Sequence, residues 1–559
     1  MKQNIGYFCI VMTLVILAAC SVSSSDNTIP QATTTATGAI VKPNLAQTQS
    51  VPVNVLTNRY NNSRSGENLN ETVLNQANVN INQFGKLFAR KVEGDIYAQP
   101  LYVQGIEMPD QQKHNVVYIA TMRNMVYAFD ADDPAQSDPL WKHDLDKSFT
   151  ENVFFDIPGG EVGILSTPVI DLTAQTMFLV TRNSEKGHSV YKLHALDIKT
   201  GLEKSNSPVK MDLSVRGSGL DNVNGIVHLN SDNQLQRTGL LLLNGQIFFG
   251  FGSNNDQGDW FGWIVAYDAA TLKQLAIMNT SPNGYQGGIW MGGSGIATDG
   301  EFLYLVVANG VNTVANGGKD YGMSILKLKF DGKFKVADYY MPNNYDQLTA
   351  DDSGLGSTGL ILLPNTTLMV AGGKDGNLYV VDQKKLGGYD RKAETSLQII
   401  SFGGGGMFVT PVVWDSGPNG KPTVYGWNIQ DTLRAFNVNT QIQQLVAQPA
   451  SESILKSVGR PTGGLAISAN GTDTSTGILW VTYAPDADQN AFGRGELVAF
   501  DATNLKRILW YSDQNKERDT LGVLSKFASP TIANGKVYVP TFSDELVVYG
   551  LLNTSASTN

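Results

Sequence analysis

The chain has 559 residues, with 41 Lys+Arg against 51 Asp+Glu and a formal net charge of −10. That acidic balance argues against nucleic acid as a main partner, because phosphate binding needs an excess of Lys and Arg. Hydrophobic residues at 42% supply enough apolar side chain for a large core, which excludes wholesale disorder. Two cysteines, Cys9 and Cys20, exclude a disulfide-rich scaffold and a Cys-based zinc or iron–sulfur site.

The N-terminus reads as an address. Met1-Lys2 is a short basic start, and Ile5 to Ala19 is mostly apolar without a charge. A stretch of that length is short for a bilayer span, which takes about 20 apolar residues, and suits a secretory signal. It ends Leu17-Ala18-Ala19-Cys20, which resembles the bacterial lipobox, where cleavage precedes a cysteine that then carries lipid. The resemblance implies a signal peptide over 1–19, lipidation at Cys20 and a membrane as partner. Ser21 after the cysteine implies, by the same resemblance, sorting to the outer membrane of a bacterial envelope. Residues 20–50 are rich in Ser, Thr, Ala, Gln, Asn and Pro, with no apolar period, and are expected to form a flexible tether.

From residue 51 to 559 the sequence repeats one unit, expected to build a single domain. The unit is a β run ending in an aromatic or aliphatic residue plus Asp, followed by a turn. It appears as Val126-Tyr127-Ala128-Phe129-Asp130, then ending at Asp197, Asp268, Asp331, Asp382, Asn437, Asp501 and Gly550. Upstream of the copies lie two further β runs, such as Ser166–Ile170 and Val116–Ala120, joined by Asn, Asp and Gly turns. A fourth run follows, such as Pro139-Leu140-Trp141 or Ile508-Leu509-Trp510. Eight copies without a helical period predict an all-β, eight-bladed β-propeller of four-stranded antiparallel blades. The last copy lacks a following strand. Lys86–Val92 is expected to supply it and close the ring, because an open ring would leave a bare sheet edge. Two stacked β-sandwiches are the other reading, disfavoured because the repeated unit does not change along the chain.

The sequence strand, Ala-x-Asp, turn, Trp resembles the pyrroloquinoline-quinone (PQQ) propeller repeat over roughly residues 52 to 552. That repeat is shared by quinoprotein alcohol dehydrogenases, which hold PQQ and a metal on the propeller axis, and by a non-catalytic outer-membrane assembly scaffold lipoprotein. The opening Asn58-Arg59-Tyr60-Asn61-Asn62-Ser63-Arg64-Ser65-Gly66 looks like a large bacterial branch of the same superfamily.

The dehydrogenase resemblance carries over residue by residue. Gly287-Gly288-Ile289-Trp290 followed by Val307-Ala308-Asn309-Gly310 implies Trp290 as a flat floor under a quinone and Asn309 as a metal ligand. Lys374-Asp375-Gly376 implies Lys374 as a cation beside the quinone carbonyls and the catalytic acid. The segment for that acid reads Pro342-Asn343-Asn344-Tyr345-Asp346, then Ala350-Asp351-Asp352, without the expected Trp, so Asp346, Asp351 and Asp352 all stand as candidates. Asn428 falls near a further quinone contact. The metal-ligating Glu is replaced by Gln257, leaving Asp256 or Asp259 to substitute. Each of these residues also has an ordinary reading: Trp290 as a blade-core aromatic, Asn309 and Lys374 as turn residues. The run Gly403–Gly406 opens no helical pattern and reads as a tight inter-blade loop.

Two functions from different classes therefore stay open. One is a lipid-anchored binding or scaffold protein with a degenerate quinone-type site and an envelope protein or polymer as partner. The other is a PQQ- and calcium-dependent alcohol or polyol dehydrogenase. The missing charged metal ligand favours the first.

Overall fold

A computed structural model describes residues 52–151, 160–459, 463–486 and 492–552. The signal, Cys20 and the tether lie outside them. Eight sheets of four or five strands form the blades of a closed propeller, antiparallel except where Glu67–Asn68 pairs parallel with Leu465–Asn470 of blade seven. In blade one, Leu101–Glu107, Lys113–Ala120, Met125–Asp130 and Trp141–Asp144 pair in chain order. The expected repeat is the third strand of every blade: His188–Asp197, Trp263–Asp268, Ser324–Phe330, Asn377–Asp382, Thr432–Asn439, Glu496–Asp501 and Glu545–Leu551 follow it round the ring.

The repeat residues have identifiable work. The terminal aspartate makes the turn into strand four: Asp197 Oδ1 accepts the amides of Lys199 and Thr200, and Asp268 Oδ1 those of Ala270 and Thr271. Such an Asx turn gives the chain its reversal without a glycine. The residue after the aspartate is the anchor for the blade before. Tyr118 and Trp141 of blade one both donate to the Ile198 carbonyl, each at 3.0 Å, and Tyr425 donates to the Ala502 carbonyl at 2.7 Å. Apolar clusters lie between neighbouring blades: one joins Val117, Tyr118 and Phe129 to Ile170, Met177 and Leu196 of blade two and to Tyr538 and Val548 of blade eight.

Ring closure follows the expected route, shifted slightly along the chain. Phe84–Lys91 pairs antiparallel with Glu545–Leu551, from Phe84 opposite Leu551 to Lys91 opposite Glu545. Blade eight thus takes its outer strand from the start of the domain and its other three from the end.

Residues 55–68 form a plug across the inner strands. Val55 exchanges backbone bonds with Tyr102 of blade one, and the Leu56 carbonyl accepts from Ile170 of blade two. Asn62 Nδ2 donates to the Leu242 carbonyl of blade three. The carbonyls of Asn62, Ser63, Ser65 and Gly66 then accept from Thr298, Leu362, Val413 and Ile467, on blades four to seven in order. Asn68 Nδ2 donates to the Ile532 carbonyl of blade eight at 2.9 Å. One short segment therefore reaches all eight blades, several of them through more than one bond.

Two buried arginines hold the plug. Arg64 is fully buried and donates to the carbonyls of Ile296, Asn58 and Leu240 and to Thr57 Oγ1. Arg59 donates to the carbonyls of Arg64 and Pro411. Burial pushes both guanidinium groups down to about 9, which leaves them charged at neutral pH. Carbonyl dipoles supply the compensation that a buried cation requires. Arg59, Tyr60 and Arg64 sit at φ 58°, 72° and 62°, left-handed conformations costly for large side chains and sustained only where surrounding contacts over-determine them.

The plug should therefore dominate stability. Arg64→Ala strands several buried carbonyls, and bonds from a charged donor contribute about 1.5–3 kcal/mol each, so a loss of at least about 3 kcal/mol is expected in urea unfolding. Lys335→Ala, at an exposed ion pair with Asp331, should stay within about 0.5 kcal/mol. A loss under about 1 kcal/mol for Arg64→Ala would show that the ring stands without its plug.

Candidate functional site

A cavity of about 630 Å³ opens on the face carrying the loops between second and third strands and the links between blades. Its walls come mainly from blades three, four and five. Trp290, Asn309, Lys374, Asp352 and Asp256 all line it. These five residues were each singled out in the sequence, and the structure brings them together from positions up to 118 residues apart.

Trp290 lies in the link from blade three to blade four. Its indole meets Trp260 edge-on, with centroids 5.2 Å apart and planes at 68°, and Nε1 donates to the Ser253 carbonyl at 3.3 Å. Gly252 and Gly288 let it lie against backbone: a Cβ at either position would fall 2.6 Å from the ring. The ring is half-buried, with its open surface on the cavity.

Asn309 and Lys374 occupy matching positions, just beyond the second strands of blades four and five. Both address the same oxygen. Lys374 Nζ lies 2.7 Å from Asp352 Oδ1, and Asn309 Nδ2 donates to that oxygen at 2.6 Å. Asp352 holds a left-handed φ of 49° at the end of the link after the helix Tyr345–Ala350. Asp256, in the corresponding loop of blade three, accepts from Ser253 Oγ.

The other candidates fall elsewhere. Asp346 is exposed on the helix, 3.9 Å from Arg391, and Asp351 caps that helix and accepts from Gln347 Nε2 at 2.6 Å. Asp352 is thus the member of the three that lines the cavity. Asp259 and Gln257 are outside the lining, while Asn255 is within it. Asn428 is fully buried behind the loop Gly403–Gly406 and is outside the lining of this cavity. For Asp351 and Asp259 the reason is local. One residue along a tight loop reverses the side chain's direction, and spacing alone does not fix it.

Several lining residues carried no sequence signal. Arg237 enters from the link between Gln234–Leu235 and Leu241–Leu243, two strands that both pair with Gln246–Ser253 of blade three; its guanidinium lies 4.7 Å above the Phe527 ring and Nη1 donates to Tyr97 at 3.3 Å. Phe408 and Phe527 line both the cavity and a gap of about 10 Å³ that Arg59 of the plug also lines. The plug therefore underlies the cavity floor. Backbone strain gathers here too: Asn255, Asp256, Gln286, Asp352 and Phe527 line the cavity with φ between 52° and 65°, or 49° for Asp352. Such strain is retained at sites where geometry matters more than stability.

The arrangement suits a flat ring better than a metal. The glycine bed of Trp290 gives the indole an open surface on the cavity, and a cation stands at the rim. For a hard cation, the carbonyl oxygen of Asn309 and the carboxylates of Asp256 and Asp352 are the oxygen donors, and Asp352 is already engaged by Lys374. Among the described residues, no group of three or more His, Cys, Asp or Glu side chains gathers in a way that could hold a metal. Among the described residues, the lining offers an indole and a cation to a flat ring and no carboxylate cage to a metal.

No family model matches the chain, and no curated protein matches it in sequence. Solved structures do match in fold. The quinohemoprotein alcohol dehydrogenase ADHIIG from Pseudomonas putida HK5 is 14% identical, with a TM-score of 0.55 over 90% of this chain and 81% of that one. The quinohemoprotein alcohol dehydrogenase from Comamonas testosteroni is 16% identical, with a TM-score of 0.55 over 89% and 80%. BamB from Moraxella catarrhalis is 13% identical, with a TM-score of 0.47 over 84% and 99%. At these identities the likeness is one of architecture: the chain has the eight-bladed propeller fold of the quinohemoprotein alcohol dehydrogenases, as its PQQ-like repeat implied.

Proposed function

We propose that this protein is a lipid-anchored propeller of the bacterial envelope whose axial cavity binds a planar, quinone-type ligand of the PQQ class. The observation that carries the reading is the convergence of Trp290, Asn309, Lys374 and Asp352 on one cavity. Trp290 would supply a face for stacking, and Lys374 a cation for a ring carbonyl or carboxylate. The ligand would add a redox-active carbonyl pair. The chain's own contribution is to orient the ring and to hold a fixed charge beside it. Arg237 adds a second cation to the lining, which suits an anionic ligand.

Binding without turnover is the form favoured here. The carboxylates needed to seat a metal at the ring are incomplete, and metal activation is a large part of the electrostatics such chemistry needs. An envelope protein or polymer is then the partner class for the rest of the surface. A dehydrogenase is the second reading, favoured by one contact. Asp352 Oδ1 stands 2.7 Å from Lys374 Nζ, where a carboxylate could accept a hydroxyl proton.

Titrating the purified protein with PQQ, with and without Ca²⁺, tests the reading through quenching of tryptophan fluorescence. Binding is expected, and Trp290→Ala should weaken it about tenfold, the equivalent of about 1.4 kcal/mol for the lost stacking. Absence of PQQ binding would sink the quinone-type ligand. Dye-linked oxidation of alcohols by the loaded protein, abolished in Asp352→Asn, would replace the binding reading with the dehydrogenase.

The anchor is tested separately. Cys20→Ser should abolish incorporation of radiolabelled fatty acid in cells and move the protein from the membrane fraction to the soluble one. Unchanged labelling would place the lipid elsewhere or remove it from the reading.

A further inference from the structure

We propose that Asn428 is a positioning residue for the cavity's cation: through the Gly403–Gly406 loop it fixes the backbone from which Lys374 reaches Asp352. The inference rests on the reading of Lys374 as the ligand-facing cation, and it assigns Asn428 a place behind the site.

Asn428 follows the second strand of blade six, Thr423–Trp427, and is fully buried. Its side-chain amide nitrogen lies within hydrogen-bond distance of three carbonyls, Gly376 at 3.0 Å, Gly403 at 3.2 Å and Gly405 at 3.1 Å, so that one of its two hydrogens is shared. Its Oδ1 is buried with no partner among the described residues. A stranded acceptor is a cost that native proteins rarely carry without a reason. The reason offered by the geometry is the three-way clamp, which ties blade six to two stretches of blade five and its outgoing loop.

The clamp ends at Lys374. Backbone bonds from Gly405 to the Ile429 carbonyl, and from Ile429 to the Gly406 carbonyl, hold the loop flat against the strand end. Met407 then donates to the Gly373 carbonyl, directly before Lys374. Gly406 packs against Lys374 itself: a Cβ there would lie 2.5 Å from the Lys374 carbonyl oxygen and 2.8 Å from its Cα. From the other side, Lys374 N donates to the Gly354 carbonyl at 2.9 Å, two residues after Asp352. The lysine backbone is held between the glycine loop and the acid-bearing link, and this sets the reach of Nζ to Asp352 Oδ1 at 2.7 Å. Glycine is required where the loop is tightest, since Gly403 and Gly404 have φ of 74° and 65°.

The test reads Lys374 without any ligand, so it is independent of PQQ binding. The full chain is treated with trace acetic anhydride, and the acylation rate of Lys374 relative to the other lysines is measured by mass spectrometry. Releasing Lys374 from Asp352 should raise its relative rate about two- to fivefold, the range for losing one half-exposed ion pair. Asn428→Ala and Asn428→Asp should both show the rise, Asn428→Ser a smaller one. Gly406→Ala should show it through the opposite side of the same contact, which keeps the proposal open to test if the Asn428 variants fail to fold. Val438→Ala, a buried core change in the same blade, should lower the melting temperature without altering the Lys374 rate. An unchanged Lys374 rate in folded Asn428→Ser and Gly406→Ala overturns the proposal, as does an equal rise in Val438→Ala. A normal rise together with absent PQQ binding would leave Asn428 as the organiser of Lys374 and remove only the quinone-type reading.

Discussion

Arg64 is the point on which the structure turns. A guanidinium with no solvent contact sits in the middle of the ring, and its acceptors are carbonyls of the plug and of blades three and four. A buried charge tolerates this only when every hydrogen has an acceptor of good geometry. That requirement fixes the path of residues 55–68, and the path in turn presents one backbone or side-chain partner to each blade. A propeller without such a plug depends on its inter-blade contacts and on ring closure. This one has an additional hub, made from the same N-terminal region that supplies the closing strand Phe84–Lys91.

The hub bears on the cavity as well. Phe408 and Phe527 separate the cavity from the small gap that Arg59 reaches, so the plug is the foundation of the floor. Above it, the site is assembled from successive blades at equivalent loop positions: Asp256 in blade three, Asn309 in blade four, Lys374 in blade five. The same repeat that builds the ring thus brings three polar side chains to one side of the cavity mouth. The glycines at 252 and 288 leave room for Trp290, and the glycine loop 403–406 sets Lys374. Removal of side chains from the backbone matters here as much as the presence of the functional ones.

Much of this was legible in the residues. The strand–Asp–turn repeat is visible because the aspartate has one job in blades one, two, three, five and seven, capping a turn, and one job leaves one pattern. The closing strand was legible from an unpaired last copy. Trp290, Asn309 and Lys374 were reachable through motif resemblance, and the structure puts all three on one cavity. The choice among Asp346, Asp351 and Asp352 was not legible, because a short helix and a left-handed residue decide which carboxylate turns inward. Asn428 was visible as a motif residue but not as a buried clamp, since burial depends on a loop 23 to 25 residues upstream in the chain.

The sequence by itself determined the strand repeat, the number of blades, the closure of the ring and a short set of candidate residues, five of which line the cavity. Each of those is written in local pattern: alternation, turn chemistry and the order of copies. The tertiary structure alone decided that Asn58–Gly66 is a hub beneath the cavity, that Arg237, Phe408 and Phe527 belong to its lining, and that Lys374, Asn309 and Asp352 share one oxygen. Those facts join residues from distant blades. No local pattern records them, because they arise only when the ring closes and brings its loops onto one axis.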